Sequence, residues 1–401
     1  MNCEEKCKAI DAAAFEELIA KAGLYDYGTI GGAVADKIAA AKAECVGAMM
    51  VAAGLSNNDF EHIVLGDAAK AAAGLKIVAC ALGAEKAVLY VPENETAYAE
   101  AAKAAGAEVE PGIVNTRMFR DGLILHLTTC EKICDLVHGK YVADTVVAAD
   151  VYTTSESCER VLAPKAVAFG TKISDLGLEL ADAKAVQIGQ KLYTPAEAAE
   201  VVLAPELPLG DGVIRVYGNG VCMVDAAAKK LLASRVASCG KCTFCREGLN
   251  QLYIRSTEIT GRKGTFEATE MMEEIGEAMT FSCNCSIGNY GSIFTLEAMK
   301  MFENEYTDHI KRKKCTVGTC LAFVNVYVDP AKCVGCGKCI PECPVDCIEG
   351  MPGYIHIIED IDCTKCGKCL ESCAEGAIIR TTGNVPRLPD RMTRVGRFKR
   401  Y

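Results

Sequence analysis

The chain lacks several features that would assign it to common classes of protein. It has no run of about 18 consecutive apolar residues, which a membrane-spanning helix requires. Its first residues show no basic segment followed by an apolar core, so we expect no secretory signal and a cytoplasmic location. Positive charge is not in excess, since 43 Lys and Arg stand against 53 Asp and Glu. The net charge of −10 argues against nucleic-acid binding, which needs a basic surface.

Cysteine, by contrast, is abundant, with 24 in 401 residues. The length suggests two to four domains, and it argues against a disulfide scaffold because such scaffolds are small and secreted. Many reduced thiols in a large chain indicate metal binding. Seven of the 24 cysteines precede residue 222, and the other 17 lie between Cys222 and Cys373. Metal binding is therefore expected mainly in the second half.

The first 150 residues are rich in alanine and alternate between helical and apolar segments. Residues 86–91 predict a buried strand, and residues 97–105 predict a helix that ends at Gly106. Another short apolar run follows at residues 122–125. This alternation predicts a parallel α/β domain.

The composition changes after this domain. Residues 166–222 contain short apolar segments broken by Gly and Pro, which predicts a small β-rich domain. Residues 223–310 have a helical pattern with breaks at Gly261 and Gly264. Residues 380–401 carry six Arg and one Lys against one Asp, and we expect this basic tail to be extended and to lie along a partner subunit.

Two cysteine runs near the C-terminus form the most specific motif. Residues 333–344 have the C-x2-C-x2-C-x3-C-P spacing of bacterial ferredoxins, and the spacing recurs at residues 363–373, followed by Ala374 instead of proline. In such modules three cysteines of one run hold a [4Fe–4S] cluster, and the fourth crosses to the other cluster. Zinc binding is the alternative, and Cys347 is left over as a packed thiol. The predicted ligands are Cys333, Cys336, Cys339 and Cys373 for one cluster, and Cys363, Cys366, Cys369 and Cys343 for the other.

A third run, at residues 238–248, reads Ser-Cys-Gly-Lys-Cys-Thr-Phe-Cys-Arg-Glu-Gly. Three cysteines at this spacing can hold three irons of a further [4Fe–4S] cluster, which then needs a fourth ligand. On spacing alone, Cys283 and Cys285 are nearly equivalent candidates, and a zinc knuckle is the alternative interpretation. The three cysteines of the run are Cys239, Cys242 and Cys245.

The motif at residues 238–248 closely resembles the cluster-binding motif of the NADH-oxidising flavoprotein subunit (51-kDa type) of respiratory complex I. The chain is most similar to the beta subunits of electron-bifurcating hydrogenases, which also append a two-cluster ferredoxin module, and the resemblance covers about residues 166–380. In this family the fourth ligand lies in a Cys-x-Leu-Gly element, which favours Cys285. The resemblance also implies a β-grasp domain starting near residues 169–173 and a helix through residues 302–310.

Together these features predict a multidomain α/β protein. Its front is a Rossmann-like α/β domain of the FMN- and NADH-binding type, followed by a β-grasp domain, a helical bundle with one [4Fe–4S] cluster and a ferredoxin domain with two. The expected bounds are 1–150 for the α/β domain, 151–222 for the β-grasp domain, 223–312 for the bundle, 313–380 for the ferredoxin domain and 381–401 for the basic tail.

Four further metal-ligating groups lie near the junction of these domains. Three thiols and one imidazole suit tetrahedral zinc, and a C-x4-C spacing is permissible. Related hydrogenase subunits carry a structural zinc in this region, so the resemblance implies one here. The alternative is that the thiols are merely buried and the histidine lies at the end of a helix. The four residues are Cys222, His309, Cys315 and Cys320.

The front domain lacks the loops with which the family binds FMN and NADH. The flavin loop reads approximately Gly-Arg-Gly-Gly-Ala-Gly-Phe-Pro, whereas residues 28–34 lack the Arg, the third close Gly and the Phe-Pro. Residues 51–59 lack the acidic pair of an Asn-Ala-Asp-Glu element, and residues 125–132 lack a Gly-Glu-Glu-Thr element. We therefore expect no FMN and no catalytic residue. The roles of five thiols stay open: Cys3, Cys7, Cys130, Cys134 and Cys158.

The favoured function is that of an electron-relay subunit in a multisubunit oxidoreductase. Three [4Fe–4S] clusters would connect a flavin- or NAD(P)-binding partner subunit with ferredoxin or another subunit. One alternative is an FMN-containing NAD(P)H-oxidising subunit with altered loops. Another is a scaffold in which the clusters are only structural, for which the basic segments at residues 311–314 and 380–400 are the sole support.

Overall fold

A computed structural model of the chain describes residues 11–27, 32–41, 44–49, 67–91, 96–111, 122–155, 157–238, 240–283 and 286–398. Contacts divide the chain into two compact units. No helix within the described ranges is long and apolar enough to cross a membrane. The first unit comprises Met1–Val221, Ala226–Ile254 and Thr269–Met301, and the second comprises Cys222–Asp225, Arg255–Ala268 and Phe302–Tyr401.

The first unit begins with a four-stranded parallel sheet in the order β3-β2-β1-β4. The predicted parallel α/β arrangement is therefore confirmed. The strand and the helix expected at residues 86–91 and 97–105 are also present, as β2 and α4. The elements are α1 (Ala12–Ala22), α2 (Val34–Ala40), β1 (Cys45–Met49), α3 (Ala68–Ala81), β2 (Lys86–Val91), α4 (Thr96–Ala104), β3 (Glu108–Pro111), β4 (Leu123–His126) and α5 (Leu127–Val137).

The alanine-rich composition of this region allows its helices to pack closely. On α3, Gly74 lies against the backbone of α5, where an added Cβ would come within 1.8 Å of the carbonyl oxygen of Cys130. Because α3 supplies mainly alanine and glycine at this contact, the two helices can approach without steric conflict. Cys130 is fully buried in the resulting core, together with Leu75 and Leu127.

A second sheet follows in the same unit, with five strands in the order β6-β5-β9-β7-β8. β5 pairs parallel to β9 and antiparallel to β6. The expected domain boundary between residues 150 and 151 is wrong, because it cuts β5, which belongs to this sheet from Asp144 onwards. The apolar run at residues 146–149 satisfies its backbone by pairing on both sides. The elements are β5 (Asp144–Tyr152), β6 (Cys158–Ala168), β7 (Ala183–Ile188), β8 (Lys191–Tyr193), α6 (Pro195–Glu200) and β9 (Val213–Gly218).

The helical region predicted for residues 223–310 is present. A buried hydrogen-bonded chain joins the second sheet to α10: the Tyr217 hydroxyl donates to Gln187 Oε1 at 2.7 Å, and Gln187 Nε2 donates to the Tyr290 hydroxyl at 3.1 Å. Polar groups buried in this way are stabilising only when paired. The helices are α7 (Met223–Ala237), α8 (Thr243–Thr260), α9 (Phe266–Ser282), α10 (Ser286–Met301) and α11 (Glu303–Ile310).

The ferredoxin-like part of the second unit consists of two small antiparallel pairs. β10 (Asn325–Val328) pairs with β13 (Ile378–Thr381), and β11 (Ile348–Glu349) pairs with β12 (Ile357–Ile358). The two cysteine runs lie in the connections between these strands, and α12 (Lys368–Ser372) overlaps the second run. Each run is thus anchored by a strand at both ends.

The basic tail lies along this same part of the chain. The Ile355 amide donates to the Thr393 carbonyl at 2.8 Å, and the Val395 amide donates to the Gly353 carbonyl at 3.1 Å. The Arg394 guanidinium lies over the ring of Tyr354, 5.7 Å from its centre. The tail is therefore held by its own ferredoxin-like module, and its contact with a partner subunit stays a prediction.

Candidate metal centres

The first group of predicted ligands surrounds one cavity. Cys333, Cys336 and Cys339 of the first run line it together with Cys373 of the second run. The remaining lining is mostly apolar, with His356 as the exception. The structure therefore brings together four thiols that are up to 40 positions apart, and each can supply one ligand to a four-iron cluster.

The second group is identified by the electrostatic surroundings of Cys369. Burial raises the pKa of Cys369, and the nearby thiols of Cys363, Cys366 and Cys343 raise it further. In the first group, burial raises the pKa of Cys339 to about 11, and its three neighbouring thiols contribute in the same direction. Four such thiols cannot all ionise side by side unless metal cations replace their protons.

Backbone amides and solvent access complete the two ferredoxin-like sites. The Ala377 amide donates to Cys373 Sγ at 3.3 Å, and the Cys347 amide donates to Cys343 Sγ at 3.3 Å. The Cys347 side chain is also buried, with its sulfur 3.4 Å from that of Cys343. The middle cysteines of the two runs, Cys336 and Cys366, are exposed, so each site has an edge that faces solvent.

The third site, in the helical bundle, is described in part. Cys239 and Cys285 lie outside the described residues. Cys242 and Cys245 are buried near the start of α8, and a hydrogen bond with Cys283 lowers the pKa of Cys245 to about 6. The structure thus places Cys283, the candidate that the resemblance disfavoured, beside one of the predicted ligands.

Gly288 at the start of α10 is needed for this approach of sulfur atoms. A Cβ at Gly288 would lie 2.5 Å from Cys283 Sγ and 3.3 Å from Cys245 Sγ. The first of these distances is impossible without a shift of the thiol. A glycine here therefore leaves space that sulfur or a cluster can fill, beside the hydroxyl of Ser238, which lies 3.3 Å from Cys245 Sγ.

The four groups proposed for zinc converge in the second unit. Cys222 Sγ lies 3.5 Å from His309 Nε2 and 3.6 Å from Cys320 Sγ, and His309 Nε2 lies 3.4 Å from Cys320 Sγ. Ligand atoms about 2.0–2.3 Å from one tetrahedral ion lie about 3.3–3.8 Å apart, so these distances fit a single ion. Cys315 is the fourth member, and all four residues are buried.

The surroundings of this site favour metal over four protonated groups. His309 Nδ1 lies 2.7 Å from the Glu305 carbonyl oxygen, which orients the ring and leaves Nε2 for the cluster of thiols. Hydrogen bonds to Cys222 and Cys320 hold the pKa of Cys315 well below its usual range. Burial opposes a charge on His309, yet hydrogen bonds to Cys222 and Cys315 raise its pKa to about 10. A thiolate beside a cation is the charge pattern that a zinc ion satisfies.

No other set of three or more metal-ligating side chains in the described ranges comes within 4.8 Å of one another. The thiols of the ferredoxin-like groups are therefore more widely spaced than those around His309, as a cluster requires in which each thiolate binds a different iron. Cys130 and Cys134 are buried on α5 and Cys158 is exposed, and the structure does not bring these three together.

Two protein-family models match the chain at these sites. Residues 225–309 match the NADH-ubiquinone oxidoreductase-F iron–sulfur binding region, and residues 332–378 match a 4Fe-4S dicluster domain. Among curated proteins, the NADP-reducing hydrogenase subunit HndC of Solidesulfovibrio fructosivorans is 36% identical over 148 residues, which are 37% of this chain and 30% of HndC. An NADH-quinone oxidoreductase relative from Rhizobium meliloti is 29% identical over 107 residues, 27% of this chain and 25% of that relative.

The chain is a relative of the 51-kDa-type NADH-oxidising subunits. It carries their iron–sulfur binding region and a 4Fe-4S dicluster domain. The matched segments span less than a third of the length of HndC and of the Rhizobium meliloti relative. The fold is similar to a crystal structure of an NAD+-reducing [NiFe]-hydrogenase in the H2-reduced state, with a TM-score of 0.62, 17% identity, and coverage of 78% of this chain and 65% of that chain.

The structure also shows residues that the sequence did not single out. His356 lies on the wall of the cavity formed by Cys333, Cys336, Cys339 and Cys373, and no spacing pattern marks it. Burial lowers its pKa. Only its rarity could have drawn attention to it, since the chain has five histidines and His356 lies between the two cysteine runs.

Removal of one ligand tests the zinc assignment. We expect about one zinc per chain in the anaerobically purified protein, and little or none in Cys320→Ser, because three remaining ligands no longer close a tetrahedral structural site. Loss of zinc should also lower the unfolding temperature. Elemental analysis and thermal unfolding measure both effects.

The matched control is Cys80→Ser, which removes an exposed thiol on α3. It should keep the zinc content and the unfolding temperature of the unaltered chain. Equal zinc in Cys320→Ser and in the unaltered chain would show that these four groups are merely buried together.

Single substitutions separate the two candidates for the fourth ligand of the bundle cluster. We expect Cys285→Ala to lose about four iron atoms per chain and one cluster signal in electron paramagnetic resonance, because three thiolates leave one iron of the cluster without protein ligation. Cys283→Ala should keep both. The reverse outcome would assign the ligand to Cys283, which lies beside Cys245 in the structure.

Proposed function

We propose that this chain is an electron-relay subunit of a multisubunit oxidoreductase, with three [4Fe–4S] clusters, one structural zinc and no flavin of its own. A flavin- or NAD(P)-binding partner subunit would exchange electrons with it on one side, and ferredoxin or another subunit on the other. When bound, the clusters supply one-electron transfer at potentials set by their surroundings. The reducing cytoplasm is the fitting compartment, because the described cysteines are all free thiols.

The observation that carries this proposal is the gathering of eight thiols into two groups of four in the ferredoxin-like module. Both groups are partly buried, and each has one exposed cysteine, Cys336 or Cys366. Burial keeps water from most of each site, while the exposed edge gives a partner close access. A purely structural site has no need of such an edge, so the arrangement favours electron exchange over a scaffold role.

The experiment that tests this proposal is reduction of the anaerobically purified chain, followed by electron paramagnetic resonance. Three separately titrating signals are expected, with about twelve iron atoms per chain, because each predicted set of thiolates holds one four-iron cluster. Fewer signals with the same iron content would mean that some iron is not in [4Fe–4S] form. Clusters that no reductant reduces at biological potentials would refute the relay and leave the scaffold.

The front domain supports the part of the proposal that excludes flavin. Asp26 is buried at the N-terminus of α5, where its Oδ1 accepts a hydrogen bond from the His126 amide at 2.9 Å and another from the Thr129 hydroxyl. Its Oδ2 lies 2.6 Å from the Lys37 ammonium. A helix N-terminus with a lysine and a hydroxyl is a set of donors suited to a phosphate group. Here the carboxylate of Asp26 already uses these donors.

The cavity next to Asp26 is also small. It has a volume of about 220 Å³, and its wall includes Tyr25, Tyr27, His126 and Phe169. Pockets for drug-sized ligands and cofactors are typically about 300–1,000 Å³. The cavity and the internal carboxylate together favour a front domain that keeps the α/β fold without binding a nucleotide.

Asp26 can be tested by substitution and rescue. We expect Asp26→Ala to destabilise the chain by about 3 kcal/mol, because Lys37 then loses its buried partner. Inorganic phosphate should restore much of the loss, since it can occupy the vacated donors, and should leave the unaltered chain unchanged. Thermal unfolding with and without phosphate measures this.

The matched control is Asp36→Ala, which removes an exposed carboxylate from the same helix as Lys37. It should neither destabilise the chain appreciably nor respond to phosphate. Equal stabilisation of the unaltered chain by phosphate would show that an open anion site exists beside Asp26.

The second candidate is an FMN-containing NAD(P)H-oxidising subunit with altered loops. The parallel sheet favours it, because the carboxyl ends of parallel strands commonly border nucleotide sites, and His126 lies at such an end, on β4. The two candidates differ in flavin content. They also differ in whether NADH reduces the isolated chain.

A further inference from the structure

The cavity of the first ferredoxin-like group contains one polar side chain besides its thiols that is fully enclosed. His356 is only 2% exposed. Its Nδ1 lies 3.7 Å from Cys333 Sγ, and its Nε2 is buried without a hydrogen-bond partner among the described residues. Lys338 and Glu375 also contribute to the wall, but their side chains are not enclosed.

An imidazole in any protonation state carries at least one N–H. A buried donor that stays unpaired costs about 1–3 kcal/mol, so the folded chain should offer an acceptor. The acceptors around this ring are sulfur atoms, namely Cys333 Sγ and whatever sulfur fills the cavity beside it. The imidazole is therefore oriented toward a sulfur-rich site that would satisfy its N–H.

The position of the ring is enforced by its neighbours. A Cβ at Gly350 would lie 2.3 Å from the ring carbon Cδ2 of His356, so only glycine leaves room for the ring. A Cβ at Gly337, between two ligands of the first run, would lie 3.9 Å from His356 Nε2. The ring is thus wedged between the loop that carries the first run and the turn at Gly350.

We propose that His356 donates an N–H hydrogen bond to sulfur of the cluster held by Cys333, Cys336, Cys339 and Cys373, and thereby raises the reduction potential of that cluster. The inference rests on the proposed function, because it requires a cluster in this cavity. Reduction adds negative charge to the cluster and its sulfur ligands. A fixed donor stabilises the reduced form more than the oxidised form, and hydrogen bonds to sulfur are among the factors that set cluster potentials.

The test is a redox titration of the full chain, followed by electron paramagnetic resonance. His356→Phe keeps a planar ring but removes the donor, and should shift one of the two ferredoxin-like signals to a more negative midpoint potential while the other signals stay in place. His356→Gln keeps an N–H donor and should recover part of the shift. A control, His138→Phe, alters a half-buried histidine at the end of α5 and should leave all midpoints unchanged.

A second measurement covers the case in which His356→Phe fails to assemble its cluster. In the unaltered chain with 15N-labelled histidine, pulsed electron paramagnetic resonance of the reduced protein should detect coupling between one imidazole nitrogen and a cluster. No coupling in a protein with all its clusters loaded, or an unshifted midpoint in a loaded His356→Phe, would overturn the inference. Absence of any reducible cluster in the unaltered chain would instead refute the proposed function.

Discussion

The main constraint on the second half of this chain is the close approach of sulfur ligands. Burial and neighbouring thiols raise the pKa of Cys339 to about 11, so without metal these groups hold their protons. Metal binding releases the protons and turns mutual repulsion into shared attraction to iron or zinc. The small strands around the runs, such as β11 with two residues, supply few other contacts. Folding and metal loading should therefore be coupled in this module.

The front domain meets its own buried charge in the opposite way. Asp26 is compensated by Lys37, the His126 amide and the Thr129 hydroxyl, all from the same unit. A carboxylate paired with internal donors needs no ligand, so the α/β fold can persist after nucleotide-binding loops have changed. The chain thus combines a front that is complete in itself with metal sites that are complete only when loaded.

The sequence predicted the metal sites better than it predicted domain limits. Ligand spacing is a local property, so the two runs indicated that Cys373 would join Cys333, and the structure brings both to one cavity. The start of the second sheet at Asp144 depends instead on long-range pairing, since an apolar run such as residues 146–149 can join either sheet. His356 and Asp26 carry no spacing signal, because their roles arise from neighbours distant in the chain.

The measurement that tests this account most directly is the ratio of flavin to iron in one anaerobically purified sample. Flavin is released by denaturation and measured by fluorescence, and iron is measured by elemental analysis. The account predicts about twelve iron atoms per chain, as expected for three four-iron clusters, and almost no flavin. Close to one flavin per chain, at the same iron content, would contradict it and assign nucleotide oxidation to this subunit.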